Sequence, residues 1–307
     1  MIYQFAILII SLLIMIWACD YAIQNSTLLG KIFGVSDIFM GIFVISIGTS
    51  LPEFAATVQA IKLGAPGIVA GNLIGSNIAN ILLVVGVMLL PIKVYNIENK
   101  NKISLHYFLF ISLLFSLILF FNITLTNIFI LFIIILLSIF IVIEFNENQY
   151  DKKDKDQKKF NYLLIVLKIL ISFIFLYFSS DYFVRSAQNI SINFGISESV
   201  VGISIIALGT SLPEVLTTII ALYRKQKHLA LGNIIGSCVA NITLISLIAI
   251  ILGGSINYFL LLENISKIVF LTTSLMFYLI FFFNFANRAT GVFFLLLYII
   301  YILTLYK

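Results

Sequence analysis

Gly48-Thr49-Ser50-Leu51-Pro52-Glu53 is the most informative segment of the chain, because it places a carboxylate inside an otherwise apolar run. An acidic residue at the centre of a membrane helix costs about 2.5–3.5 kcal/mol. Pro52 lacks a backbone N–H and clashes with the carbonyl four residues back, so we expect a broken or bent helix beside Glu53. Thr49 and Ser50 lie four and three residues before Glu53, on the same helix face. A carboxylate, two hydroxyls and unpaired carbonyls form an all-oxygen cluster, which suits hard cations such as Ca²⁺ and Na⁺.

The composition around this stretch is that of a membrane protein. The chain has 307 residues, of which 62% are hydrophobic and only 10% are charged, and its mean hydropathy is +1.15. Soluble domains carry about 25% charged residues, so we predict an all-α polytopic membrane protein. The formal charge of +5 is therefore read through loop topology and not as a sign of nucleic-acid binding.

Apolar runs long enough to span a bilayer, about 20 residues each, occur ten times along the chain. The strongly charged run between the fifth and the sixth, 146–160, is predicted to be a solvated linker. The ten predicted spans are 2–24, 36–61, 67–92, 104–121, 126–145, 161–187, 198–223, 229–253, 264–284 and 289–306.

The opening stretch has a copy in the second half of the chain. The same six letters recur as Gly209-Thr210-Ser211-Leu212-Pro213-Glu214, which sets an offset of 161 residues between Glu53 and Glu214. The same offset carries the motif 71–80 onto 232–241. Repetition at one fixed offset indicates two homologous units. We predict a first repeat over 1–145, the linker over 146–160 and a second repeat over 161–307.

The number of spans sets the orientation of the repeats. Five predicted spans separate each position from its copy, and since five is odd, the second repeat is inverted relative to the first. This is the plan of secondary transporters, in which broken helices meet at the midplane. Most Lys and Arg residues fall on the side of the linker, which makes that side cytoplasmic and both termini external. The expected location is the cell (inner) membrane.

The second motif adds neutral oxygens. Asn72, Ser76 and Asn80 are spaced by four and therefore share a helix face, and their amide and hydroxyl oxygens are neutral ligands for Na⁺ or Ca²⁺. Antiparallel placement would bring both glutamates and the two terminal asparagines into one layer flanked by hydroxyls. The predicted ion ligands are Glu53, Glu214, Asn80, Asn241, Thr49, Ser50, Ser76, Thr210, Ser211 and Ser237.

Structural roles compete with ion binding at several of these positions. Small residues in membrane helices commonly serve close packing, which applies to Gly71, Gly75, Gly232 and Gly236. Hydroxyls can bond back to their own helix. Asn72 and Asn233 are equally suited to joining helices and to binding an ion.

The paired GTSLPE motifs, each followed by G-N-x-I-G-S-x-x-x-N, resemble the two alpha repeats of the sodium/calcium exchanger family. The resemblance implies ten spans and Ca²⁺ extrusion driven by Na⁺ through alternating access, with the first and sixth spans sliding as the gate. It implies that Glu53 and Glu214 are shared carboxylate ligands, with backbone carbonyls near Ser46 and Ala207 completing the Na⁺ sites. It also implies Na⁺ ligands at Thr49, Ser50, Ser76, Thr210, Ser211 and Ser237.

One departure from the family pattern concerns charge. Some exchangers in the family carry Asp where this chain has Asn241, and Asn80 is also an amide. The ligand layer then holds two formal negative charges, enough to neutralise one Ca²⁺, while three Na⁺ would leave an excess of +1. Co-transport of K⁺ is disfavoured by the same substitution.

Other functions remain open from the residues alone. A Ca²⁺/H⁺ antiporter or a carrier of another divalent cation would use the same glutamates. A cation channel needs a continuous pore, which two inverted copies with one acid layer fit less well. An intramembrane enzyme is disfavoured, since the motif segments hold neither H-E-x-x-H nor a Ser-His pair. No cofactor, nucleic acid or protein partner is predicted; Ca²⁺ and Na⁺ (or H⁺) would bind as substrates.

Overall fold

The computed structural model describes residues 2–62, 66–97, 102–121, 127–147, 161–193, 207–253 and 264–305. Within these ranges every regular element is helical. The α-helices are α1 Ile2–Phe33, α2 Asp37–Met40, α3 Ser46–Thr49, α4 Leu51–Lys62, α5 Pro66–Ala79, α6 Val85–Leu89, α7 Lys102–Phe120, α8 Asn127–Glu147, α9 Tyr162–Asn193, α10 Ala207–Thr210, α11 Leu212–Tyr223, α12 Lys227–Ala240, α13 Ser246–Gly253, α14 Asn264–Phe282 and α15 Arg288–Leu305. Three π-helical segments, π1 Gly41–Ile45, π2 Asn80–Val84 and π3 Asn241–Ile245, continue α2, α5 and α12.

The apolar helices match the predicted spans in position. Six helices in the described residues are long and apolar enough to cross a membrane, or seven if the bent pair Asp37–Thr49 and Leu51–Lys62 counts as one span. Three further apolar helices are shorter and overlap the fifth, seventh and tenth predicted spans. The prediction of an all-α membrane protein is confirmed, and the count of ten spans stays a prediction.

The chain folds into two compact units, and each takes segments from both halves of the sequence. Unit 1 comprises Met1–Pro52 and Phe145–Gly236, and unit 2 comprises Glu53–Glu144 and Ser237–Lys307. Two of the three unit boundaries fall inside α4 and α12, which carry parts of the two repeated motifs, and the third falls inside α8. Each unit therefore contains residues of both motifs.

Unit 1 is built on the long contact between α1 and α9, with α11 packed against α1. Met15, Cys19 and Leu176 form a buried apolar cluster, and Leu212 and Leu216 of α11 pack against it. At the end of α11, Arg224 donates to Asp20 of α1 at 2.5 Å. Both α1 and α11 are thus held by apolar burial along their length and by an ion pair where α11 ends.

In unit 2, α15 packs against α6, and α7 packs against α14 through aromatic pairs. Phe108 meets Phe277 edge-on with ring centroids 5.1 Å apart, and Phe115 meets Phe270 at 5.8 Å. These pairs run in opposite directions along the two helices, so α7 and α14 are antiparallel. Edge-to-face pairs of this kind add about 0.5–1.5 kcal/mol each beyond their buried area.

Candidate functional site

Two helix breaks position the repeated acids. Ser50 separates α3 from α4 with φ −84° and ψ 5°, and Ser211 separates α10 from α11 with φ −83° and ψ 1°. Both lie in the bridge region of backbone space, which is sparsely populated outside turns and active sites. Across the first break the two helices are bent by 42°. The broken helix predicted from Pro52 is confirmed.

The residues of the site in unit 1 form a group that we call the Glu214 cluster. Glu214 is completely buried in the first turn of α11, and the Ser50 hydroxyl donates to its Oε1 at 3.4 Å. The Thr49 hydroxyl donates to Asn233 Oδ1 at 3.2 Å and lies 3.3 Å from the Ser46 carbonyl. The members of the Glu214 cluster are Thr49, Ser50, Thr210, Ser211, Glu214 and Asn233.

Glycines bring the backbone of α12 against that of α2 and π1. A Cβ on Gly232 would overlap the Ile38 carbonyl, and a Cβ on Gly236 would overlap the Ile42 carbonyl. Gly41 of π1 in turn faces the backbone of α12, since a Cβ on Gly41 would lie 2.7 Å from the Asn233 backbone nitrogen. Close backbone approach therefore brings Asn233 within reach of Thr49.

Unit 2 holds the other half of the predicted ligands, which we call the Glu53 cluster. Glu53 is completely buried near the start of α4. In the same unit α5 packs against π3, so the helix that carries Ser76 lies beside the segment that starts at Asn241. The members of the Glu53 cluster are Glu53, Ser76, Asn80, Ser237 and Asn241, and all are buried.

Asn80 and Asn241 have the same local setting. Each is the first residue of a π-helical segment, and π-bulges occur frequently at functional sites because they disturb the regular hydrogen-bond ladder. In both asparagines the amide nitrogen and oxygen are buried with no hydrogen-bond partner among the described residues. Burying an amide without a partner costs free energy, so these side chains are suited to a ligand.

Asn72 of α5 is tied to α4. Its Nδ2 donates to the Glu53 carbonyl and to Thr57 Oγ1, both at 2.9 Å. The Ser76 hydroxyl donates to Asn72 Oδ1 at 3.4 Å. Of the two roles that the sequence allowed for Asn72, the structure shows the helix-joining one.

The ten predicted ligands divide equally between the two units. Thr49, Ser50, Thr210, Ser211 and Glu214 belong to unit 1, and the other five belong to unit 2. The predicted pairing of the two glutamates joins residues of different units and stays a prediction. The hydroxyl of Ser50 bonds to the Glu214 side chain, and that of Ser76 bonds to the Asn72 side chain of its own helix rather than to a backbone carbonyl. The Thr49 hydroxyl is shared between Asn233 and the Ser46 carbonyl of its own helix.

Sequence reasoning missed Thr57 and the π-helical segments. Thr57 recurs as Thr218 at the same offset of 161 residues, so the repeat could have found it. The π-helical segments have no distinct hydropathy signal, because a single extra residue in a turn barely changes the apolar pattern.

The sequence and the fold were compared with those of known proteins. The family model "Sodium/calcium exchanger protein" matches residues 3–145 and 164–307. The uncharacterized membrane protein MJ0091 of Methanocaldococcus jannaschii is 32% identical over 297 residues, covering 97% of this chain and 96% of its own. The sodium/calcium exchanger MaX1 of Methanosarcina acetivorans is 34% identical over 283 residues, covering 79% of this chain and 81% of its own.

The fold also matches that of a solved sodium-calcium exchanger. The structure of the sodium-calcium exchanger NCX_Mj soaked with 10 mM Na⁺ and zero Ca²⁺ matches with a TM-score of 0.83 and 28% identity. The match covers 99% of each chain. From the repeated motifs, the fold and these matches, we conclude that the chain belongs to the sodium/calcium exchanger family.

Proposed function

We propose that this protein is a secondary active antiporter that exchanges Ca²⁺ for Na⁺ across a membrane by alternating access. Membership of the sodium/calcium exchanger family supports this function, and the family consists of membrane transporters and not enzymes. The transported ions bind as substrates, and the proposal requires no cofactor.

The observation that carries the proposal is the duplicated setting of the two acids. Glu53 and Glu214 are each 0% exposed. Each lies three residues after a serine, and the two serines, Ser50 and Ser211, have nearly identical backbone dihedral angles in the bridge region. An intramembrane acid that faces the protein interior is expensive and marks an ion pathway by default. We therefore assign both glutamates as ligands of the transported cations.

Neutral oxygens complete the proposed ligand set. Hydroxyls and amide carbonyls bind Ca²⁺ and Na⁺ without adding charge. In the Glu214 cluster Ser50 already contacts the acid, and in the Glu53 cluster the Asn80 and Asn241 amides are buried with no hydrogen-bond partner in the described ranges. The proposed neutral ligands are Thr49, Ser50, Ser76, Asn80, Thr210, Ser211, Ser237 and Asn241.

Exchange follows from competition for a limited negative charge. Two ionised glutamates balance one Ca²⁺, and in the proposed shared site their titrations would be coupled. Ca²⁺ and a full set of Na⁺ would not occupy the same oxygens together. Bound cations would relieve the repulsion between the carboxylates and permit the transition between the outward-facing and inward-facing states. The ion-free protein, with both carboxylates ionised, would resist that transition, which would prevent a leak.

The proposed architecture is ten spans in two inverted repeats. The family model matches in two segments, 3–145 and 164–307, which supports repeats over 1–145 and 161–307 with the linker 146–160 between them. A described helix overlaps each of the ten predicted spans. We place the protein in the cell (inner) membrane with the linker in the cytoplasm and both termini outside.

Purified protein in sealed vesicles tests the function. Uptake of ⁴⁵Ca²⁺ is measured with an outward Na⁺ gradient, an outward K⁺ gradient or a pH gradient imposed in turn. We expect saturable uptake with the Na⁺ gradient alone. Uptake driven by the pH gradient and indifferent to Na⁺ would instead identify a Ca²⁺/H⁺ antiporter, and flux that does not saturate and shows no counterflow would identify a channel.

A further inference from the structure

The side-chain amide of Asn72 is a junction between two helices of unit 2. Asn72 lies on α5, and its Nδ2 donates one hydrogen bond to the backbone carbonyl of Glu53 and one to Thr57 Oγ1, both on α4. Both distances are 2.9 Å, which is typical of a good N–H···O bond. Both hydrogens of the amide group are therefore used.

The chemistry of these partners fixes the orientation of the amide. A backbone carbonyl accepts hydrogen bonds and cannot donate, so the side of Asn72 that faces Glu53 must be the nitrogen. Since the amide is planar, Oδ1 is turned to the opposite side, where the Ser76 hydroxyl donates to it at 3.4 Å.

The orientation of Asn72 in turn fixes the Ser76 hydroxyl. A hydroxyl has one hydrogen to donate and two lone pairs to offer. Because the hydrogen of Ser76 is directed at Asn72, its lone pairs remain for other partners. If the Asn72 amide were reversed, Ser76 would accept an N–H, and one of its lone pairs would be lost to a cation.

We propose that Thr57 is a positioning residue for the Na⁺-binding hydroxyl of Ser76, acting through the Asn72 amide. Thr57 is buried on α4, one turn after Glu53. Its oxygen is the second acceptor that holds the nitrogen of Asn72 on the α4 side. We call this chain of hydrogen bonds, from Thr57 through Asn72 to Ser76, the relay. It also ties α5 to the backbone carbonyl of Glu53, so it fixes the position of Glu53 on α4 relative to Ser76 on α5. This inference rests on the proposed Na⁺-coupled function.

Among the described residues of the second half of the chain these hydrogen bonds are not present, so the equivalent positions supply a natural control. Thr218 and Asn233 occupy the positions equivalent to Thr57 and Asn72. Thr218 Oγ1 and Asn233 Nδ2 are buried with no hydrogen-bond partner in the part of the chain that the structure describes. Instead, Asn233 Oδ1 accepts from Thr49. The same substitution at Thr218 therefore changes side-chain shape equally but breaks no described hydrogen bond.

The test compares Thr57→Val, Thr57→Ser and Thr218→Val with wild type in the full-length protein. Reconstituted vesicles give the Na⁺ concentration for half-maximal ⁴⁵Ca²⁺ flux and the maximal rate per folded transporter. We expect Thr57→Val to raise the half-maximal Na⁺ concentration about twofold to tenfold, the size of one hydrogen bond. Its maximal rate should stay close to wild type. Thr57→Ser and Thr218→Val should both resemble wild type.

Na⁺-dependent thermal stabilisation of the purified variants reports binding without transport, because a ligand that binds the folded state raises its melting temperature. Thr57→Val should need more Na⁺ for the same stabilisation. An unchanged Na⁺ dependence in Thr57→Val, or the same shift in Thr57→Ser or Thr218→Val, would overturn the relay while wild type still transports. Absence of Na⁺-driven flux and of Na⁺ stabilisation in wild type would overturn the proposed function, and the relay with it.

Discussion

The Ser50 hydroxyl lies 3.4 Å from Glu214 Oε1, although the two residues are 164 positions apart in the sequence. The contact links the serine of one GTSLPE motif to the acid of the other. A residue of the first motif thus directly supports the carboxylate of the second, which is what an ion site shared between the repeats requires.

Replacing Ser50 by alanine tests this contact. Loss of the hydroxyl removes a hydrogen bond to Glu214 and one neutral oxygen ligand, so we expect the half-maximal Na⁺ concentration for Ca²⁺ flux to rise about twofold to tenfold. Ser172→Ala is the matched control, because Ser172 is also a buried serine of unit 1, and the hydrogen bond described for its hydroxyl goes back to the Lys168 carbonyl of its own helix at 2.7 Å. An equal shift in both variants would argue against a specific role for Ser50.

The asparagines at the start of the π-helical segments give a second prediction. Asn80→Ala and Asn241→Ala remove buried amides that have no hydrogen-bond partner among the described residues. We therefore expect these substitutions to lower the affinity for the transported ion. We expect a higher Ca²⁺ concentration for half-maximal flux in both variants, by about twofold or more.

Asn77→Ala is the control for these two variants. Asn77 is buried on the same helix as Ser76 but is not a predicted ligand. Its Nδ2 donates to the Leu73 carbonyl of that helix, and its Oδ1, like that of Asn80, has no hydrogen-bond partner among the described residues. Its replacement should lower stability and leave the half-maximal Ca²⁺ concentration unchanged. If Asn77→Ala raises the half-maximal Ca²⁺ concentration as much as Asn80→Ala does, the assignment of Asn80 as a ligand is wrong.

The repeated glycines should respond differently to alanine. A Cβ at Gly232 or Gly236 would overlap carbonyl oxygens of the facing helix, whereas one at Gly71 or Gly75 would meet no described heavy atom within 4 Å. We expect Gly232→Ala and Gly236→Ala to destabilise the protein by about 1–3 kcal/mol or more. Gly71→Ala should be neutral or stabilising by up to about 1 kcal/mol, because alanine favours helix.

Thermal unfolding monitored by size-exclusion chromatography measures this difference. Lower midpoints for Gly232→Ala and Gly236→Ala, with Gly71→Ala near wild type, would support the close packing of α12 against α2 and π1. Equal midpoints in all three variants would contradict it.

The sequence predicted the fold class and the helix breaks because both follow from strong local physics. Long apolar runs must be helical in a bilayer, and Pro52 and Pro213 cannot continue a regular ladder. The acids and hydroxyls were proposed as ligands for the same reason, since polar groups within apolar runs are costly enough to require an explanation. Their role as ion ligands stays a prediction.

Packing between elements was not predictable in the same way. Gly71 and Gly232 occupy identical places in the two motifs but have different surroundings, and a repeated pattern cannot distinguish them. Asn72 and Asn233 likewise make different hydrogen bonds. The helix α1 continues to Phe33, past its predicted end at residue 24, because its continuation packs on neighbouring helices and need not be apolar throughout.

The most direct test of Glu53 and Glu214 as ligands of the transported ions is Na⁺-driven ⁴⁵Ca²⁺ flux in vesicles that contain the variant Glu53→Gln, Glu214→Gln or Glu144→Gln. Glu144 is also completely buried, but it lies outside both motifs and accepts from Ser104 at 2.7 Å, a bond that glutamine can keep. We predict that Glu53→Gln and Glu214→Gln each lose flux by at least about tenfold, as expected for removing a charged ligand, and that Glu144→Gln retains it. Flux near the wild-type rate in both motif variants would contradict the account.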